Sequence, residues 1–175
     1  MLLRSRYRQM KNKALFITEA AAVAALYTVL TLFAGAFGLA NGAIQIRVSE
    51  ALTILPFFTP AAIPGLFVGC IVSNILTGCV IWDIIFGSIA TLLGAVGTYY
   101  LGRKVSKWLA PLPPILANTV IIPFVLAYAY GAEESIPFLM LTVGAGEVLS
   151  CGVLGLVLLL AIEPVKHKVF DRQGT

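Results

Sequence analysis

A small set of polar residues stands inside or against the long apolar runs of this 175-residue chain: Arg47, Glu50, Asp83 and Glu147, with the amides Gln45, Asn74 and Asn118. Ionisable groups in such surroundings are costly, so they line a cavity or pair with one another. Together they offer both hydrogen-bonding polarities: carboxylates accept paired N–H donors, whereas a guanidinium and amides donate to a carbonyl. Covalent chemistry has little support. The only histidine, His167, lies in the Lys166-His167-Lys168 tail, away from any nucleophile. Cys70, Cys79 and Cys151 are scattered through apolar runs without a CxxC, which indicates neither a disulfide framework nor a metal site. No GxxxxGK[ST] is present, so any ATP must be used by a partner. The residue types point to recognition of a small polar molecule by a non-catalytic protein that needs no cofactor.

Each of these residues also has a purely structural reading. Arg47 and Glu50 are three apart at the start of a short apolar segment, so a helix there puts them on one face, where they can bind a ligand or simply pair. Gln45 falls on the same side of an extended strand as Arg47. Asp83 begins a helix, where a carboxylate meets the helix dipole favourably. Glu147 has no capping role: it sits among Gly144, Ala145, Gly146 and Val148 with no adjacent cation, which makes it the strongest candidate for ligand contact. Asn74 and Asn118 serve equally as ligand contacts or as interhelical hydrogen bonds, each worth about 0.6 kcal/mol on average. Glu19 is close enough to a basic end of its helix to snorkel or pair with Lys13. Ala20, Ala21, Ala24 and Ala25 form overlapping small-xxx-small pairs, a flat face for another helix within this chain or outside it.

The elements that must position these groups are membrane helices. The chain is 59% apolar and 11% charged, with mean hydropathy +0.97, against about 45–50% and about 25% in soluble domains. Apolar runs and breakers predict helices at 14–37, 49–58, 60–80, 83–102, 112–131 and 136–163, an all-α bundle of six membrane segments whose second is too short to cross alone. The alternation of Ala43 to Val48 predicts an extended segment ahead of that second helix. Thr59-Pro60 and Pro111 open helices, Pro56 closes one, and Pro123 is expected to kink the fifth. Residues 1–13 form a basic segment, 14–163 the membrane domain and 164–175 a tail. The first apolar run is too long for a signal h-region and reads as a retained span. Cations cluster at Arg4–Lys13, at Arg103, Lys104 and Lys107, and at Lys166, Lys168 and Arg172. An even number of crossings puts all of them on the cytoplasmic side, with both termini, and leaves Arg47 apart. Trp82 and Trp108 fall at span ends, as an interfacial belt predicts. The +4 net charge is thus a topology signal and not a nucleic-acid footprint.

The stretch Ile44-Gln45-Ile46-Arg47-Val48-Ser49-Glu50-Ala51-Leu52-Thr53-Ile54-Leu55-Pro56-Phe57-Phe58 resembles the signature of the QueT family of queuosine-precursor transporters. Ala62 to Cys70, Trp82 to Ser88 and Leu112 to Asn118 are similar to that family's later helix motifs, and the resemblance covers about residues 14–163. It implies a six-helix substrate-binding S component of an energy-coupling-factor (ECF) transporter in a bacterial cytoplasmic membrane. Such a subunit docks on a transmembrane T component with two cytoplasmic ATPases, and the resemblance assigns that docking to Ala20, Ala21, Ala24 and Ala25. The implied ligand is a deazaguanine precursor of queuosine or queuine. Glu147 is then expected to accept the paired N–H donors of the guanine-like edge, and Arg47, Gln45, Asn74 or Asn118 to meet its carbonyl. Glu50 or Asp83 would meet an aminomethyl cation or ring N–H, and Trp82 is among the aromatics available for stacking.

On this reading the extended 38–48 segment closes over the ligand, and the loaded bundle reorients on its ATP-driven partner. The competing readings are an S component for another vitamin, a secondary transporter with Glu147 as its proton-coupling carboxylate, and a structural subunit whose charges only hold helices together.

Overall fold

The computed structural model describes residues 2–37, 47–166 and 170, with the backbone alone over 2–11. Helix α1 runs Leu2–Ala36, so the basic segment continues the helix that the apolar run was expected to begin. A 3-10 helix follows at Val48–Phe57. Next come α2, Ala62–Leu76, and α3, Ile81–Gly97, prolonged by a π turn at Thr98–Gly102. A 3-10 turn at Lys107–Leu109 leads into α4, Leu112–Ala129. Helix α5, Ile136–Glu147, passes through a π turn at Val148–Leu154 into α6, Gly155–Ile162. No strand occurs among the described residues. Four segments are long and apolar enough to cross a membrane: Asn12–Ala36, Ile81–Gly102, Lys107–Ala129 and Ile136–Val165.

The two remaining helices are short for physical reasons. The expected third span of 60–80 shrinks to Ala62–Leu76, roughly 22 Å at 1.5 Å per residue. Gly78 adopts φ +74, a left-handed conformation that other residues resist. Gly78 N–H then donates to Ile75 O and Cys79 N–H to Asn74 O, at 3.1 and 3.0 Å, the paired bonds of a Schellman stop. At its other end Thr59 Oγ1 accepts from Ala61 N–H at 3.3 Å, while the first helical residue is Ala62. The 3-10 helix is buried from Ser49 to Pro56, and Pro56 has no N–H to give to an α-helical ladder. This buried rod forms the middle of the bundle. Leu52 and Leu55 pack there with Val23 and Tyr27 of α1, Ala62, Leu66 and Cys70 of α2 and Ala95 of α3.

Small residues set the crossings. A Cβ on Gly65 would meet Ala20 O at 2.6 Å, and one on Gly69 would meet Ala24 O at 3.0 Å. The α1–α2 contact is therefore a backbone-to-backbone approach of the small-xxx-small kind. Gly94 lies as closely against Pro114 Cα, at 2.7 Å. At the Lys107 end, Lys107 Nζ pairs with Glu163 Oε2 at 2.8 Å and the tail residue Phe170 stacks on Phe58 at 5.6 Å.

Candidate functional site

At the other end of the bundle, the C-terminal ends of α1, α2 and α4 and the start of α3 enclose a cavity of about 580 Å³. Its walls include Tyr27, Thr31, Arg47, Asn74, Asp83 and Tyr130. Binding pockets for small molecules commonly span about 300–1,000 Å³. Arg47 stands in an extended conformation immediately before the 3-10 helix. Burial draws its pKa down, but the opposing pull of Asp83, with Tyr27 and Glu50 behind it, wins and lifts it above the ordinary value. The guanidinium therefore stays charged. It forms no ion pair with Glu50: among the described residues the only one is Lys107–Glu163. Backbone geometry separates the two side chains. Glu50 N–H donates to Arg47 O at 2.9 Å, the first 3-10 turn, after which Glu50 points to Tyr27 while Arg47 faces the cavity.

Asp83, 4% exposed, is turned inward and caps no backbone N–H. Its Oδ2 accepts the Tyr130 hydroxyl at 3.0 Å, and Asn74 Nδ2 donates to its backbone carbonyl at 3.4 Å. Its Oδ1 is buried without a partner. Gly87 packs closely against this oxygen and the Asn74 amide, where a Cβ would come within 3.1 Å of Asp83 Oδ1 and 3.3 Å of Asn74 Nδ2. The cavity wall thus brings together a guanidinium, a carboxylate with one unpartnered oxygen and an amide. Tyr130, beyond the end of α4, has its pKa raised by burial and by the Asp83 carboxylate beside it.

Behind this cavity Glu50, Glu147 and Cys151 form a second cluster, their ligand atoms all within 4.8 Å of one another. The Tyr27 hydroxyl donates to Glu50 Oε1, and the Cys151 thiol donates to Glu147 Oε2 at 3.1 Å. Neither carboxylate belongs to the wall of the 580 Å³ cavity, and neither does Asn118. The sequence-selected residues therefore divide. Arg47, Asp83 and Asn74 meet in the cavity, while Glu50, Glu147 and Asn118 meet in the cluster behind it. Gln45 lies outside the described residues. Trp82 stands elsewhere, 54% exposed, stacked on Phe86 at 6.0 Å in an apolar groove shared with Phe124 and Tyr128.

Glu19, read as structural, accepts the Thr59 hydroxyl at 2.8 Å. Ala20 and Ala24 are half-buried against α2, whereas Ala21 and Ala25 face outward. Sequence reasoning passed over Tyr27 and Tyr130 and set Cys151 aside with the other scattered cysteines. Tyr27 had a readable signal: it follows Ala20 and Val23 on the stripe that α2 covers, and a buried tyrosine needs a partner for its hydroxyl.

Fold and composition define a multi-pass helical membrane protein, with a cavity between its helices that is partly lined by polar side chains. The family model described as the QueT transporter matches residues 17–164, and the chain belongs to that family. A curated relative, the queuosine precursor transporter QueT of Lactococcus lactis subsp. cremoris (strain MG1363), is 40% identical over 83 residues, 47% of this chain and 48% of that protein. The chain spans about half the length of that relative. No solved structure matches it.

Proposed function

We propose that this protein captures a queuosine precursor, a deazaguanine base or queuine, as the substrate-binding S component of an ECF-type importer in a bacterial cytoplasmic membrane. Membership of the QueT transporter family supports the ligand class. The observation that carries the site is the cavity whose wall brings together Arg47, Asp83 with its unpartnered Oδ1, and Asn74. A guanine-like edge has adjacent N–H donors for a carboxylate and a carbonyl for a cationic donor. Asp83 takes the donors, Arg47 the carbonyl, and Tyr130 holds Asp83 by its other oxygen. This assignment moves the paired-donor role from Glu147, which does not line the cavity, to Asp83, which does.

In this proposal six helical segments lie within the bilayer with both termini cytoplasmic, and the cavity opens outward, opposite the basic clusters. Ala21 and Ala25, exposed on α1, contact the T component, and the half-buried Ala20 and Ala24 back them. Two ATPases on the cytoplasmic side supply the energy. The test is thermal stabilisation of the purified full chain in detergent against deazaguanines, guanine, riboflavin, biotin and thiamine. Binding to the native state raises its midpoint by mass action. The proposal expects a rise confined to the deazaguanines. A rise with a vitamin and none with any deazaguanine would overturn the substrate.

A further inference from the structure

The cluster behind the cavity holds two carboxylates, neither of them in an ion pair among the described residues. Glu50 is 1% exposed and Glu147 6%. Each carboxylate has one oxygen fixed by a protein donor: Glu50 Oε1 by Tyr27 and Glu147 Oε2 by Cys151. Glu50 Oε2 is buried with no partner. Asn118, fully buried on α4, lies close to both carboxylates, yet its Nδ2 completes no hydrogen bond. Turning that amide over presents its Oδ1 to the same space. Two ionised carboxylates this near each other in a low dielectric repel strongly, so the arrangement calls for one positive charge between them.

The hydrogen bonds also narrow the chemistry of that charge. Cys151 donates its one proton to Glu147 Oε2 at 3.1 Å, with the Glu50 carbonyl oxygen a second acceptor at 3.5 Å, so it is a thiol. A zinc-class ion takes cysteine as thiolate. The open ligands are oxygens, which suit a proton or a hard, small cation. Local backbone supports a built site: Cys151 lies within the π turn that begins after Glu147, and such turns in helices recur at functional positions.

From this geometry we propose that Glu50, Glu147 and Asn118 form a site for a single positive charge, a proton or a sodium ion, separate from the Arg47–Asp83 cavity. The titratable groups around it are Tyr27 from α1, Cys70 from α2 and Cys151 from the π turn, with Arg47 at the head of the 3-10 helix and Asp83 of α3 facing Arg47. Helix α4 contributes the uncharged Asn118, and the site stands whether or not a deazaguanine is the cargo.

The experiment uses the full chain in detergent without any deazaguanine, so its failure leaves the capture reading untouched. Infrared spectroscopy at neutral pH reads protonated carboxyl groups, and thermal melts compare sodium chloride with choline chloride at equal ionic strength. A proton in the site gives a protonated-carboxyl band that disappears in the Glu50→Gln, Glu147→Gln double variant, with no preference between the salts. Sodium in the site gives a midpoint several degrees higher in sodium chloride, abolished in the same variant. If the double variant does not fold, Glu50→Gln and Glu147→Gln serve singly: each removes one carboxyl of the site, so the band weakens or shifts, or the sodium preference falls, in at least one of them. A wild type with neither the band nor the preference overturns the proposal, as does either signal persisting unchanged in the variants.

Discussion

Replacing Tyr27 by Phe removes one hydroxyl and little else. Tyr27 is 2% exposed, its ring packs in the core with Leu52, Leu66 and Cys70, and its oxygen donates to Glu50 Oε1. Because Glu50 Oε2 already lacks a partner, the variant leaves the whole carboxyl group unbonded inside the bundle. Losing a hydrogen bond to a charged group costs about 1.5–3 kcal/mol, and to a neutral one about 0.5–1.5. At about 2–4 °C per kcal/mol for a chain of this size, a charged Glu50 predicts a midpoint lower by roughly 3–12 °C. A second background isolates the bond. In Glu50→Met the Tyr27 hydroxyl has lost its acceptor, so adding Tyr27→Phe there should cost nothing or stabilise slightly. The assay is thermal unfolding of the four proteins of this cycle in one detergent, with a coupling of about 0.5–3 kcal/mol expected between residues in contact. An equal loss in both backgrounds would refute the reasoning, since the effect would then come from ring packing and not from the bond.

Gly65→Ala should lower stability by about 1–3 kcal/mol in the same melts, because the added Cβ meets the Ala20 carbonyl at 2.6 Å and overpacking outweighs the helix-propensity gain. Gly35→Ala, with nothing within 4 Å of its Cβ, should be neutral or slightly stabilising. Arg47→Leu should weaken deazaguanine binding roughly tenfold to a hundredfold, the equivalent of about 1.5–3 kcal/mol for a charged hydrogen bond, whereas Trp82→Ala should leave it within about twofold; equilibrium dialysis reads both. Tyr130 has a raised pKa from burial and the Asp83 carboxylate, so above the ordinary tyrosine value of about 10 the folded state holds a proton that the unfolded state has lost. Its contribution to stability is present below about pH 10 and falls as pH rises beyond it. Melts at increasing alkaline pH should show that step in wild type and lose it in Tyr130→Phe. Vesicles holding this chain alone should bind a deazaguanine without accumulating it, and accumulation against a gradient would contradict the S-component reading.

Much of the bundle was legible because membrane helices announce themselves by apolar length, and prolines and glycines mark their ends. The expected segments at 83–102, 112–131 and 136–163 fall within two or three residues of Ile81–Gly102, Leu112–Ala129 and Ile136–Val165. The early stop of α2 had its signal in Gly78, but one glycine inside an apolar run has no unique reading until its φ is known. The 3-10 winding of Val48–Phe57 could not be read from composition, since buried helices of either pitch are apolar all round. At the site, residue types identified the participants and missed their grouping. Glu50 and Glu147 are far apart in sequence, and only the packing of the 3-10 helix on the π turn after α5 places them together. Tyr130 stands at the C-terminal cap of α4, its N–H on Val125 O, and nothing local tied it to Asp83.

The central claim is that a deazaguanine binds this chain through Asp83 in the cavity beside Arg47. Isothermal titration of the purified full chain with the aminomethyl and cyano bases, set against guanine and repeated with Asp83→Asn, tests it most directly. The account predicts saturable binding of a deazaguanine by wild type and a loss of about tenfold or more in Asp83→Asn, the cost of one charged hydrogen bond. Wild-type binding that Asp83→Asn leaves unchanged would contradict the site, and no heat with either base from a folded wild type would contradict the ligand.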